Sequence, residues 1–316
     1  MGMNARPFDL RDLPTLHRYR RQCLYLDSAR LLTQGPQIFP VRAALLSYFP
    51  AAAGILTFRG REDGSSHRVL LGQAAHKAGS QSAHLIFLAP DNALDSPGLP
   101  HLLERMIVEI GERGAYNLLA DVEEENPAFE ALRRVGFAIY ARQRIWQLTG
   151  DALYEPFETK WKNGSSSDII GVRSLYNNLV PGLVQQVEPP PSKRLHGLTY
   201  KEKDEVLAYI ELKYGPAGIW VQPFVHPDTG KVANRLAHLV QNIPNRKGRP
   251  VYFCVRSYQS WLESAIEDIG AEAGPRQAVL VKRLAILQKQ ERTIVVPNLE
   301  RNQREASAPL TNTKSS

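Results

Sequence analysis

The sequence predicts an α/β protein of the α+β kind: two similar domains in tandem, each a twisted, mainly antiparallel sheet flanked by helices. Three observations carry that reading. Each half opens with three strand-like runs, residues 53–58, 69–76 and 83–88 in the first and 197–201, 205–214 and 218–225 in the second. The last run of each trio leads to a proline, Pro90 or Pro227, followed by helix, strand, helix, glycine and strand. That order recurs after about 135 residues, the mark of an internal duplication.

In chain order, residues 6–16 (RPFDLRDLPTL) give an opening strand and then a helix start, with Asp12 as cap and Pro14 in the first turn. Helical segments follow over 18–32 and 41–47, separated by the turn-rich 34–40. The linkers 60–66 and 77–81 suit hairpins between antiparallel strands. A helix over 97–113 and a short apolar strand over 115–121 come next. Residues 125–137 (ENPAFEALRRVGF) are the clearest unit. Asn126 caps a helix, Pro127 occupies its first turn, and Phe129, Leu132, Arg133 and Phe137 recur at helical spacing. Gly136 fits the left-handed residue that ends such a helix, and residues 138–148 form the closing strand.

The second half repeats this plan. A helix over 168–187 is broken at Pro181 and Gly182, and residues 188–192 (EPPPS) form a stiff extended connector. After the three strands come a helix over 229–243, a strand over 249–256 and a helix over 258–269. Gly270 stops that helix, and a closing strand spans 277–287. The expected boundaries are 1–149 for the first domain, 150–158 for a linker, 159–287 for the second domain and 288–316 for a disordered polar tail.

Composition narrows the class. A length of 316 residues suits two domains with cores of their own. Cys23 and Cys254 are too few for a disulfide framework, so a reducing, cytoplasmic setting is expected. The first residues are charged where an export signal needs an apolar run, and Arg42, Ser47 and Pro50 interrupt the most apolar stretch, 41–58. No membrane span is expected. The net charge of +7 is spread along the chain, with residues 246–249 (RKGR) as its densest basic run. A nucleic-acid face concentrates its charge, so this distribution argues against that partner. The eight histidines lack cysteine partners or paired spacing, and no metal is expected. Neither a nucleophile elbow, a P-loop nor an H-E-x-x-H motif occurs.

Residues 125–148, with the strand before them, resemble the closing unit of the GNAT-type N-acetyltransferase superfamily, and the resemblance extends over roughly 5–287 as tandem GNAT-like domains. It implies transfer of an acetyl group from acetyl-CoA, as co-substrate, to the primary amine of a small molecule or peptide. In that family the fourth strand splays from its neighbour and pairs with the pantetheine, and a Gly-rich loop offers N–H groups to the pyrophosphate. Both copies depart from the loop pattern. Residues 90–100 (PDNALDSPGLP) keep one glycine and carry Asp91 and Asp95, whereas 227–233 (PDTGKVA) keep Gly230 and Lys231. On the resemblance, a donor in the second copy meets Phe224, Val225, Thr229, Gly230 and Lys231, and one in the first copy meets Leu88 and Asn126; the second copy has the better loop and the first the better final helix, so the half that binds stays open.

The family's usual acid, a tyrosine four residues before the helix-ending glycine, is Leu132 in one copy and Ile266 in the other. Tyr258 is the substitute acid. An attacking amine must also lose a proton, and the strand-borne bases are His84, His226 and Glu211. His226, at a strand end, is the favoured one; Glu211 reads as solvated. Damaged loops and absent tyrosines leave a second reading, a catalytically degenerate pair that binds a ligand or a protein. A third, an aminoacyl-tRNA-dependent transferase of the Fem type, requires a basic groove. Oligomeric state is not legible.

Overall fold

A computed structural model describes residues 3–36, 54–62, 69–153, 159–192 and 194–284. The helix expected over 41–47, the expected tail and much of the linker lie outside the described residues.

The elements follow one another as β1 (Met3–Pro7), α1 (Leu13–Tyr19), β2 (Leu24–Tyr25), α2 (Ser28–Gln34), β3 (Ile55–Glu62), β4 (Val69–His76), β5 (Ser82–Ala89) and α3 (Leu99–Glu112). Next come β6 (Asn117–Glu123), α4 (Pro127–Arg134), β7 (Ala138–Leu148), β8 (Lys162–Asn163), α5 (Ile169–Leu179) and α6 (Gly182–Gln185). The last are β9 (Gly197–Glu202), β10 (Glu205–Tyr214), β11 (Ile219–Val225), α7 (Val232–Gln241), β12 (Val251–Arg256), α8 (Leu262–Asp268) and β13 (Glu272–Arg283).

Local chemistry explains the duplicated unit. Asn126 Oδ1 accepts the Ala128 N–H at 2.9 Å, capping α4 with Pro127 at its first position. Gly136 (φ +88°) and Gly270 (φ +89°) end α4 and α8 in the left-handed region, at no Cβ penalty. The helix expected over 18–32 is instead two helices around β2. Asp27 caps α2 by accepting the Arg30 N–H at 3.0 Å, and Leu24 and Tyr25 pair with Leu88 and Phe87 of β5.

The thirteen described strands form one sheet, not two. Its order is β1-β3-β4-β5-β6-β13-β7-β12-β11-β10-β9-β8, with β2 beside β5. Both closing strands are exchanged. β13, from the end of the second half, lies antiparallel between β6 and β7, the last two strands of the first half. β7 in turn lies antiparallel between β13 and β12, the last two of the second half. β5–β6 and β11–β12 are parallel, and every other described pair is antiparallel.

Alternation along the strands sorts the two faces. Leu118, Ala120 and Val122 of β6 pack with Leu102, Met106 and Ile110 of α3 and Leu132 of α4 in one core. Val251, Phe253 and Val255 of β12 pack with Leu236 and Val240 of α7 and Ile266 of α8 in a second. Each such side chain, fully buried, contributes about 1.5–3 kcal/mol. The intervening residues, Asp121 of β6 and Tyr252, Cys254 and Arg256 of β12, turn to the opposite face. No helix among the described residues is long and apolar enough to cross a membrane.

Candidate functional site

The face opposite those cores carries a cleft of about 1000 Å³, at the upper end of small-ligand pockets. Its floor is made by alternate residues of the central strands: His84, Asp121, Gln143, Arg256, Gln222 and Glu211. α2 and the connector residues Glu188, Pro189, Pro191, Arg194 and His196 flank it, and Tyr140, Tyr176, Tyr209, Trp220 and Phe224 give it aromatic walls. Glu211 therefore faces the cleft and not bulk water; its carboxylate lies 3.8 Å from Lys213 Nζ.

Charge is concentrated at the centre. Arg256 Nη2 contacts Glu188 Oε1 at 2.6 Å, and the Tyr140 hydroxyl donates to the same oxygen at 2.5 Å. The Tyr176 hydroxyl donates to the Glu188 carbonyl at 2.5 Å, so the connector is pinned by its first residue. Burial raises the Glu188 carboxyl, but Arg256 and the Tyr140 hydrogen bond outweigh it and hold it below the usual range. Asp121 goes the other way: burial and then Asp27 push its pKa up against Arg256, His84 and the Ser28 N–H, which donates to it at 3.0 Å. The Cys254 thiol is pushed up to about 12, mainly by burial, which keeps it an inert core thiol.

The two parallel pairs are splayed. β5 and β6 pair only from Ser82 to His84 against Asn117 to Leu119, and β11 and β12 only from Ile219 to Val221 against Val251 to Phe253. Beyond those points the copies differ. In the first, the chain itself fills the gap. The Leu26 N–H donates to the Ile86 carbonyl and the Leu26 carbonyl accepts the Asp121 N–H, both at 2.8 Å, joining β5 to β6 through β2. In the second, a single side chain sits against the free edge of β11. Gln259, 1% exposed, accepts the Val225 N–H at 3.0 Å and donates to the Pro223 carbonyl at 2.9 Å.

The residues singled out in the sequence spread around these features. Phe224 lines the cleft, stacked on Tyr209 with ring centroids 6.1 Å apart, and Val225 is held by Gln259. Thr229 donates to the Leu207 carbonyl at 3.3 Å, and the Gly230 carbonyl accepts from Arg235 at 2.8 Å. Lys231 adopts φ +53° at the N-cap of α7. Leu88 pairs with Leu24, and the Asn126 side chain is engaged as a cap. Tyr258 packs with Tyr176, Tyr209 and Phe224, and its buried hydroxyl has no hydrogen-bond partner among the described residues. Burial, the main cause, pushes its pKa above the usual tyrosine value. His226 sits at the outer end of β11, where its Nδ1 accepts the Asp228 N–H at 3.2 Å. It is not among the cleft residues.

A crystal structure of a GCN5-related N-acetyltransferase from Sphaerobacter thermophilus superposes with a TM-score of 0.56, at 10% identity, over 89% of this chain and 96% of that one. This chain has the GNAT fold. A tandem GNAT protein from the clavulanic acid biosynthesis pathway aligns at 14% identity and a TM-score of 0.48 over 90% of this chain and 99% of that one. No family model and no curated protein matches the sequence. Within the GNAT fold, β5–β6 and β11–β12 are the two splayed pairs at which the resemblance puts an acyl donor.

Missed in the sequence were Asp121, Glu188, Arg256 and Gln259. Glu188 lies in the connector after α6, whereas Asp121 and Arg256 are polar residues at strand positions that alternate with apolar ones, so a polar face was legible. That it lines a cleft depends on the exchange of strands, which no local pattern encodes.

Proposed function

We propose that the chain is an N-acetyltransferase that moves an acetyl group from acetyl-CoA to a primary amine held in the central cleft, with one donor site per chain, in the second half. The observation that supports this assignment is the contrast between the splayed pairs: backbone bridges the first, whereas at the second the Gln259 side chain takes the Val225 N–H and the Pro223 carbonyl of β11. A pantetheine amide replaces a glutamine amide with like hydrogen bonds. In this reading Phe224, Val225, Thr229, Gly230 and Lys231 form the donor side, and Leu88 and Asn126 serve structure alone.

The base is Glu211, because its carboxylate faces the cleft on β10, directly opposite Gln222 where the β11–β12 gap begins. It takes a proton from the ammonium, and the amine nitrogen attacks the thioester carbonyl carbon. As the C–S bond breaks, Tyr258, kept protonated by burial, gives its proton to the thiolate, and the remaining excess proton on the nitrogen passes to the tyrosinate, leaving the neutral amide and the free thiol. The test is calorimetry with acetyl-CoA followed by an amine screen. Saturable binding that Lys231→Glu weakens supports the donor side. With an acceptor found, Glu211→Gln is expected to lower kcat by about 10²–10⁴-fold and Tyr258→Phe by at least about tenfold. Loss with His226→Gln but not with Glu211→Gln returns the base role to His226.

One observation favours a second reading. Gln259 already satisfies the two groups of β11 that a donor needs, as in a fold retained for binding alone. Gln259→Ala separates the two. Under the transferase reading it tightens acetyl-CoA binding or leaves it intact; no binding in either protein supports the degenerate reading.

A further inference from the structure

Three of the four carboxylates that line the cleft are matched by a cation. Asp27 pairs with Arg30 at 3.1 Å, Glu188 with Arg256 at 2.6 Å and Glu211 with Lys213 at 3.8 Å. Asp121 has no salt bridge among the described residues; the Ser28 N–H is the donor on its carboxylate. A buried carboxylate beside Asp27 that has no ion-pair contact of its own gains when a cation meets it.

The same cleft holds the opposite deficiency. Arg256, 6% exposed, uses one nitrogen on Glu188, and its Nε and Nη1 have no acceptor among the described residues. Trp220, 3% exposed, also lines the cleft, and its Nε1–H is likewise without an acceptor. Buried donors left unmade are rare because each forfeits its hydration. Asp121 and Arg256 both belong to the floor of this cleft. One part of the floor therefore lacks a paired cation and another lacks acceptors.

We propose that the central cleft binds a zwitterion, a molecule with an α-amino-acid head group, seating its ammonium on Asp121 and its carboxylate on the unsatisfied donors around Arg256. A plain amine leaves the donors unmet, and a plain acid adds a charge beside Glu188 and leaves Asp121 bare. The aromatic walls from Tyr140 to Phe224 accommodate the rest of the ligand. This ligand occupies the cleft that the proposed function gives to the acceptor amine, but its binding needs neither the β11 edge nor acetyl-CoA.

The experiment uses the full chain. Thermal-shift measurements with each common α-amino acid at millimolar concentration are expected to find at least one that stabilises the protein. Calorimetry then compares that amino acid with its methyl ester, which lacks the carboxylate, and its N-acetyl derivative, which lacks the ammonium. Each derivative is expected to bind about tenfold or more weakly. Asp121→Asn is expected to weaken the parent by a similar factor while leaving the melting temperature of the free protein unchanged or raised. Arg256→Lys, read by circular dichroism for folding, tests the other end. Stabilisation by no amino acid overturns the proposal, as does a parent bound no better than its ester and its N-acetyl derivative. Absence of acetyl-CoA binding leaves this result untouched and bears on the transferase reading alone.

Discussion

Single residues set the acid–base character of this protein, and their pH dependence can be predicted from their partners. Asp168 precedes α5 and accepts the Ser165 N–H at 2.9 Å and the Ser165 hydroxyl at 2.7 Å, with Lys201 paired to its other oxygen. Burial opposes ionisation, but Lys201 and Ser165 prevail and lower its pKa from 3.8 to about 2. The folded state therefore holds this proton less readily than the unfolded chain. Its stabilisation is present above about pH 4 and is lost as the pH falls toward 2. Asp168→Asn is expected to cost about 1 kcal/mol at pH 7, after discounting for solvent screening, and almost nothing near pH 2, as read from urea melts at both values. Asp121 has the reverse sign: its raised pKa favours the folded state at low pH, and that contribution disappears as pH rises through its folded value. At this scale the sequence was partly legible. The Asn126 cap and the glycines at 136 and 270 followed from backbone chemistry, whereas Glu211 read as solvated because alternation reveals a polar face but not what covers it.

At the scale of elements, residues 69–76 and 205–214 read in the sequence with the same bounds the structure gives. Both are uninterrupted, largely apolar runs between turn residues, and 69–76 is buried on both faces. β2 was not legible. Residues 18–32 have a composition that suits a continuous helix, and only the unpaired edges of β5 and β6 make extension at Leu24–Leu26 the better use of that backbone. Leu26 is fully buried among Leu85, Leu88 and Ala120. Leu26→Ala is expected to destabilise by about 2–5 kcal/mol, measured by chemical denaturation. A loss under 1 kcal/mol removes the view that this segment holds the first gap shut.

At the scale of the molecule, the duplication was legible because two copies of one strand-and-helix order survive in the hydrophobic pattern. The exchange was not, because 138–148 and 272–283 satisfy the alternation of either half equally well. Register across chain-distant strands decides it. The halves are consequently inseparable. A fragment ending at residue 149 lacks the strand between β6 and β7, and Ala278 and Leu280 of the first core with it. It is expected to remain unfolded or aggregated by circular dichroism and sedimentation. A fragment of 150–284 lacks β7 and is expected to behave alike, whereas co-expression of the two restores a folded complex.

The position of β13 also bears on how the chain is made. At about 5–20 residues per second, the stretch between the end of β7 and the start of β13 occupies a ribosome for roughly 6–25 s. Throughout that interval β6 and β7 exist without the strand that joins them, and such edges invite foreign pairing. Translation thus passes residue 272 before the first half can close. Nascent chains arrested at residue 268 are expected to be cut by protease within 117–148, and chains released in full to be protected there. At the centre of the sheet, the last made of the described strands joins two made long before it.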